Sequence, residues 1–275
     1  MFIDDTFWEE LYWNEYVGNK KSLIKLSKEV DRSVTTIHRH FTKLGVRCRN
    51  NVEKSLKYYC NNCYFDEIDT EDKAYFLGLL FSDGYVDARH RVGIALKDSD
   101  VEIIKKMLVY MESDYKISFY SNKGYAGKYK PTRYCRVLIA SEQMYNALVG
   151  HGVVPHKSLI LKPPVLRSDL VRHFIRGFMD GDGSIWDYNT TPTVGFTSTK
   201  EMLEFIGNFF LKNGIIKRFS VYPEHHSDVT FNLKIGGRIQ CLNVLNLLYD
   251  EATVYLERKY KRYLQIKEKY SHLTQ

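Results

Sequence analysis

No stretch of this 275-residue sequence supplies the ~20 consecutive apolar residues that a membrane-spanning helix needs. Met1 is followed by acidic and aromatic residues, not by the basic run and apolar core of a secretion signal. The five cysteines, Cys48, Cys60, Cys63, Cys135 and Cys241, are odd in number and give no disulfide framework. Cys60-Asn61-Asn62-Cys63 is half of a zinc site, yet no second Cys-x-x-Cys follows at zinc-ribbon spacing. Only Cys48, His38 or His40 could complete it, and two ordinary thiols are the simpler reading. These absences exclude a membrane partner. The expected setting is a reducing, cytoplasmic one, inside a bacterium, a phage-infected host or an organelle.

What is present is the composition of a folded domain, with 44 % hydrophobic and 27 % charged residues. Lys and Arg number 40 against 33 Asp and Glu, so the net charge of +7 favours polyanionic partners. The 21 tyrosines suit surfaces that lie along phosphates and bases.

The chain reads as residues 1–50 of short helices, a linker over 51–70, and two successive halves, 71–160 and 161–275, in which helices alternate with strand pairs. In the first block Leu26, Val30, Ile37, Phe41 and Leu44 are apolar at helical spacing, and Ser33 stands as an N-cap before the second run. A short turn between them predicts a helix-turn-helix, whose second helix enters the DNA major groove. Asp31 stands where glycine is usual at the turn. Thr35, Thr36, Arg39, His40 and Lys43 are the exposed positions able to meet bases or phosphates.

The strongest signal is a repeat. AYFLGLLFSDGYV over 74–86 and HFIRGFMDGDGSI over 173–185 keep Gly, small, Asp and Gly in register, with Asp83 and Asp182 99 positions apart. Each segment is an apolar helix, capped by Asp69 or Thr70 in the first copy and by Ser168 in the second. Gly78 with Ser82, and Gly177 with Gly181, place small residues four apart, so that two helix backbones can approach closely. Gly84 and Gly183 are expected as left-handed C-cap glycines. Asp83 and Asp182 then lie side by side at helix C-termini, where a carboxylate costs about 0.3–1 kcal/mol. That strain makes sense if a divalent cation sits between them, and oxygen ligands with nearby phosphates suit Mg2+.

Both segments resemble the LAGLIDADG motif of homing endonucleases, with Phe76–Gly84 and Ile175–Gly183 matching it and the metal-binding acid at Asp83 and Asp182. Phe81 replaces the usual acid at the sixth place, which Asp180 keeps in the second copy; that position is mainly structural in the family. The resemblance covers roughly residues 65–270. It implies an α+β fold of two pseudo-symmetric αββαββα halves forming a saddle over DNA, behind a small all-α module. It also implies metal-dependent cleavage of both strands of duplex DNA at a long site by a monomer acting as an internal pseudo-dimer. Mg2+ would serve, with Mn2+ as substitute, held at Asp83 and Asp182 beside Gly84 and Gly183.

Lys234 and Arg136 are the candidate basic groups near the cuts. Strand alternation sets Val92, Ile94 and Leu96 against Arg91, Gly93, Ala95 and Lys97. It sets Ile117 and Phe119 against Lys116, Ser118 and Tyr120; Phe219 and Val221 against Arg218, Ser220 and Tyr222; and Val229, Phe231, Leu233 and Ile235 against Thr230, Asn232 and Lys234. The polar faces are the expected DNA contacts. The tail 253–270 reads as a charged helix in which Lys259, Lys261, Arg262, Lys267 and Lys269 are placed to touch phosphates or water. Two rivals share the fold: a LAGLIDADG-derived transcriptional regulator that no longer cuts, against which both acids argue, and an RNA-splicing maturase, which a major-groove helix disfavours. Intein splice residues are absent.

Overall fold

The structure is a computed structural model that describes residues 5–48, 58–122, 131–188, 191–225, 227, 229–270 and 272. The chain divides into two compact units, 1–58 and 59–275.

In the first unit, helix α1 (Asp5–Glu10) runs on into a wider coil over Leu11–Gly18, followed by α2 (Leu23–Glu29) and α3 (Val34–Lys43). Ser22 and Ser33 cap α2 and α3, each hydroxyl accepting from the backbone N–H three residues on, at 3.1 Å. Asp31 takes the left-handed conformation that the turn demands, with φ +49°. Trp8, Tyr12, Tyr16, Leu26, Ile37 and Phe41 form a core belonging to this unit.

The second unit holds the two halves. The first is α4 (Glu71–Ser82), β1 (Gly84–Asp87), β2 (Arg91–Lys97), α5 (Val101–Tyr110), β3 (Ser118–Asn122), β4 (Thr132–Ala140) and α6 (Glu142–His151). The second is α7 (Val171–Asp182), β5 (Ser184–Tyr188), β6 (Thr191–Ser198), α8 (Lys200–Lys212), β7 (Val221–Pro223), β8 (Phe231–Gly236) and α9 (Arg238–Tyr249), followed by α10 (Glu257–Tyr270). The sheets are antiparallel and share one order, β1-β2-β4-β3 and β5-β6-β8-β7. This is the αββαββα pair expected from the repeat.

The two motif helices pack backbone to backbone. A Cβ on Gly78 would lie 2.0 Å from the Phe174 carbonyl oxygen, and one on Gly177 would lie 1.9 Å from that of Tyr75. Phe174 and Tyr75 are themselves equivalent positions of the repeat, so the contact is reciprocal, as a twofold axis requires. Tyr75, Phe76, Leu79, Leu80, Phe174, Ile175, Phe178 and Met179 are fully buried around it.

Several local expectations change. Gly84 and Gly183 are not left-handed: Gly84 opens β1 opposite Ile94, and Gly183 is extended at φ −77° and ψ 165°. The chain turns straight from helix into strand there, so tightly that a Cβ would lie 2.6 Å from Leu80 Cα or 2.5 Å from the Met179 oxygen. Glycine is needed for space, not for φ. Ser168 does not cap α7, whose N-cap is Leu170. Cys60, Tyr64 and Phe65, from the stretch read as linker, are buried in the core of the second unit. Phe119, expected on the buried face of β3, is 48 % exposed, because β3 is an edge strand and the Arg133 guanidinium covers the ring from 5.1 Å.

The glycine contact gives a direct test. Gly177→Ala should cost about 1–3 kcal/mol or more, because two backbones must part, and lower Tm by several degrees. Gly150→Ala, where an added Cβ meets nothing within 4 Å, should be neutral or slightly stabilising. Equal melting of the two variants would contradict the backbone contact.

Candidate active site at the helix ends

Asp83 follows the last turn of α4, and Asp182 is the last residue of α7. A Cβ on Gly181 would stand 1.8 Å from Ser82 Oγ and 2.8 Å from Asp83 Oδ2, so the Asp83 carboxylate lies against a bare backbone of the other half. Burial and the neighbouring Asp182 charge push the Asp83 carboxyl up to about 6. Asp182 opens to solvent on one side, but its dense surroundings still hold its carboxyl above the usual range.

Two buried lysines balance these charges. Lys157, from the short turn Lys157–Leu159 after α6, donates to the Ser82 carbonyl at 2.9 Å, at the end of α4. Lys259, in the first turn of α10 and only 5 % exposed, donates to the carbonyls of Gly181 (3.2 Å), Gly183 (2.7 Å) and Met179, at the end of α7. Ammonium groups there satisfy carbonyls that helix ends leave unpaired and oppose the negative helix terminus. Burial lowers both lysines, Lys259 to about 8. Both lysines offset part of the burial cost at both carboxylates.

The sequence reading missed this role. In the sequence Lys259 reads as one more cation of a charged helix and Lys157 carries no signal of its own, because segments far from the motif bring both in. The remaining tail cations stay outside: Lys267 pairs with Asp250 and Lys269 with Asp187.

Lys234 and Arg136 sit on the two sheets. The Lys234 ammonium sits between the Trp186 and Tyr222 rings, 5.7 and 5.8 Å from their centroids, and Arg136 lies over Tyr120 at 5.6 Å. They are not equivalent. Lys234 pairs with Gly195 opposite Ser184, and the matching ladder of the first half runs from Tyr85 through Gly93 to Leu138. Arg136 instead matches Asn232.

Lys97, Tyr120, Arg136, Tyr222 and Lys234 are exposed on the sheets' polar faces, with Asn232 half-buried among them. Asn232 Oδ1 accepts from Thr197 Oγ1 at 2.9 Å. Trp186, Tyr222, Asn232 and Lys234 line an open pocket of about 560 Å³. Arg91 is tied to Asp87 at 2.6 Å, and Lys116 and Arg218 fall just outside β3 and β7. In the first unit Thr35, Arg39 and Lys43 form an exposed stripe, whereas Thr36 bonds Ser33 at 2.8 Å and His40 stacks on Trp8 at 4.1 Å. Cys63 accepts from Gln143 Nε2, and the Cys60 thiol donates to Asn62.

The donor set suits a hard cation. Two carboxylates kept close against their own repulsion offer only oxygen, and the Ser82 and Gly181 carbonyls beside them already accept from Lys157 and Lys259. Among the described residues no group of three His, Cys, Asp or Glu could hold a metal. Two carboxylates are what Mg2+ asks for, since it keeps waters and takes substrate phosphates as further ligands. The Gly183 carbonyl is already taken by Lys259, and Gly84 lies in the β1–β2 ladder.

No protein-family model and no curated protein matches this sequence. Among solved structures, the homing endonuclease I-WcaI bound to its DNA recognition sequence is similar at 15 % identity and TM-score 0.51, over 81 % of this chain and 96 % of that one. The I-LtrWI LAGLIDADG homing endonuclease bound to target DNA is similar at 12 % identity and TM-score 0.50, over 78 % and 92 %. Full-length DUF199/WhiA from Thermatoga maritima stands at 14 % identity and TM-score 0.46, over 76 % and 64 %. The chain therefore has the LAGLIDADG homing endonuclease fold. No helix among the described residues is long and apolar enough to cross a membrane.

The carboxylate pair has a pH signature in metal-free buffer. The folded Asp83 binds its proton more tightly than the unfolded chain does, so the stability it contributes is complete below about pH 4. That contribution is lost as pH rises through about 6. Asp83→Asn should therefore be more stable than wild type above pH 6, by on the order of 1 kcal/mol after solvent screening, and level with it near pH 4. Thermal melts with a chelator read this; a variant less stable at pH 7.5 would contradict the repulsion.

Proposed function

We propose that this protein is a site-specific endonuclease that hydrolyses one phosphodiester in each strand of duplex DNA. The observation that carries the reading is the pair of carboxylates at two helix ends in backbone contact, with a buried lysine bonded to the carbonyls of each end. A divalent cation held by Asp83 and Asp182, Mg2+ or Mn2+, supplies Lewis-acid chemistry to the hydrolysis. The chain's own residues do the rest. Lys157 and Lys259 offer preorganised positive charge to a phosphate as negative charge develops on it, in a site where neither must reorganise. The half-buried carboxylates keep the two reacting centres near one axis. Lys97, Tyr120, Arg136, Asn232, Lys234 and Tyr222 present donors and ring faces to a duplex along the two sheets. The fold's DNA-bound relatives support that use of the surface. The first unit, read as a helix-turn-helix, would add a major-groove contact through Thr35, Arg39 and Lys43, lengthening the footprint.

The test is plasmid DNA carrying the sequence that flanks this gene, joined as it would be without it. Wild-type protein with Mg2+ should linearise it. Asp83→Asn and Asp182→Asn should bind it and fail to linearise it, and Lys157→Met or Lys259→Met should slow cutting by on the order of 10². Undiminished linearisation by either Asp variant would reject the site. Tight, specific binding by a wild-type chain that never cuts would favour a DNA-binding regulator.

A further inference from the structure

Asp180 is fully buried two residues before Asp182, and its hydrogen bonds leave its own helix. Its Oδ2 accepts from the Leu256 backbone N–H and from the Tyr75 hydroxyl, both at 2.7 Å, and its Oδ1 accepts from the Tyr249 hydroxyl at 2.6 Å. Leu256 immediately precedes α10, and its carbonyl takes the backbone N–H of Lys259 at 3.0 Å. The segment just before it is anchored on the same side. Arg176 Nε donates to the Val254 carbonyl at 2.9 Å, and Glu71 Oε1 accepts from the Thr253 N–H at 3.0 Å. The turn that carries Lys259 is therefore pinned to α7 by a carboxylate with three donors.

Among the described residues the first half has no such device. Phe81 occupies the place of Asp180 in the repeat, and its ring meets the backbone at Gly152, where a Cβ would lie 3.2 Å from Phe81 Cζ and φ is +108°. Lys157 follows that turn and donates to one carbonyl, that of Ser82, whereas Lys259 donates to three. The turn before one lysine packs on an aromatic ring, and the turn before the other is held by a buried carboxylate.

We propose that Asp180 is a positioning residue for one strand only: it seats Lys259, and with it the reaction centre beside which Lys259 lies, while the centre beside Lys157 does not depend on it. The inference rests on the endonuclease reading. Asp180→Asn keeps the side chain's shape but leaves one neutral carbonyl oxygen where the carboxylate offered two charged ones, so its hold on the Leu256 N–H weakens. The half that relies on Phe81 is untouched.

The experiment follows a supercoiled plasmid bearing the cleavage site, with each strand end-labelled in turn. Asp180→Asn should slow one strand by about tenfold or more relative to the other, so nicked circles accumulate, and the spared strand should be the one spared by Lys259→Met. A loss of folding would slow both strands alike. Tyr249→Phe removes one partner of Asp180 and should show a smaller bias of the same sign, so the strand test stands even if Asp180→Asn folds poorly. Amide exchange at Leu256, read without metal or DNA, should speed up in Asp180→Asn and not in Lys259→Met. Equal slowing of both strands, sparing of the opposite strand, or unchanged Leu256 exchange would overturn the inference. Wild-type protein that cuts neither strand while Leu256 exchange responds as expected would overturn the endonuclease reading and the strand role, but not the pin.

Discussion

Everything at the centre of this molecule depends on two helix backbones touching. Gly78 and Gly177 leave no room for a Cβ between α4 and α7, and the approach they allow brings two C-termini to one point. Helix dipoles and the carboxylates of Asp83 and Asp182 then add negative charge where a protein would ordinarily avoid it. Lys157 and Lys259 answer that charge from inside the fold. Burying an ammonium is costly unless its donors are paired. Lys259 meets the condition with three carbonyls, including those at either side of Asp182. Without metal, the site is a balanced cluster of two acids and two bases, and a cation or a phosphate entering it changes that balance.

The two halves repeat in topology but not in chemistry. In the second half Arg176, only 1 % exposed, bonds Val254 and Leu248 carbonyls, His173 and Glu71, and its guanidinium lies 5.3 Å from the Tyr75 ring. Burial and that guanidinium keep His173 low, at about 4, so it is neutral in the network at physiological pH. The first half has Leu77 and Phe81 where Arg176 and Asp180 stand, and those two positions pack by apolar contact. One motif helix is thus a polar hub for the C-terminal segment and the other an apolar wedge. A gene duplication or fusion that drifts in this way keeps the twofold contact, since the glycines cannot change, while each end is free to secure its lysine by its own means.

The fold was legible because its signals are local and periodic. The repeat placed α4, α7 and their acids correctly, and the apolar alternation of Val92, Ile94 and Leu96 found the buried face of β2. The small residues were read for close approach, and the Cβ clashes agree. What was not legible depends on distant segments meeting. Lys259 looks like one more cation in a charged helix until α10 is seen to start beside α7. The Trp186 and Tyr222 rings around Lys234 come from other strands, and no pattern within β8 announces them. Gly84 and Gly183 follow acids at helix ends, which suggests left-handed caps; the direct turn into a strand, which no short pattern encodes, decides otherwise.

The most direct test of this account is a crystal of the protein with its uncut DNA target and Mn2+, read by anomalous scattering. The account predicts manganese peaks within direct coordination distance of the Asp83 and Asp182 carboxylates, about 2.1 Å for a cation of this kind, with the lysine ammoniums still on the helix-end carbonyls. Peaks elsewhere, or none at this axis while DNA lies across the sheets, would contradict it.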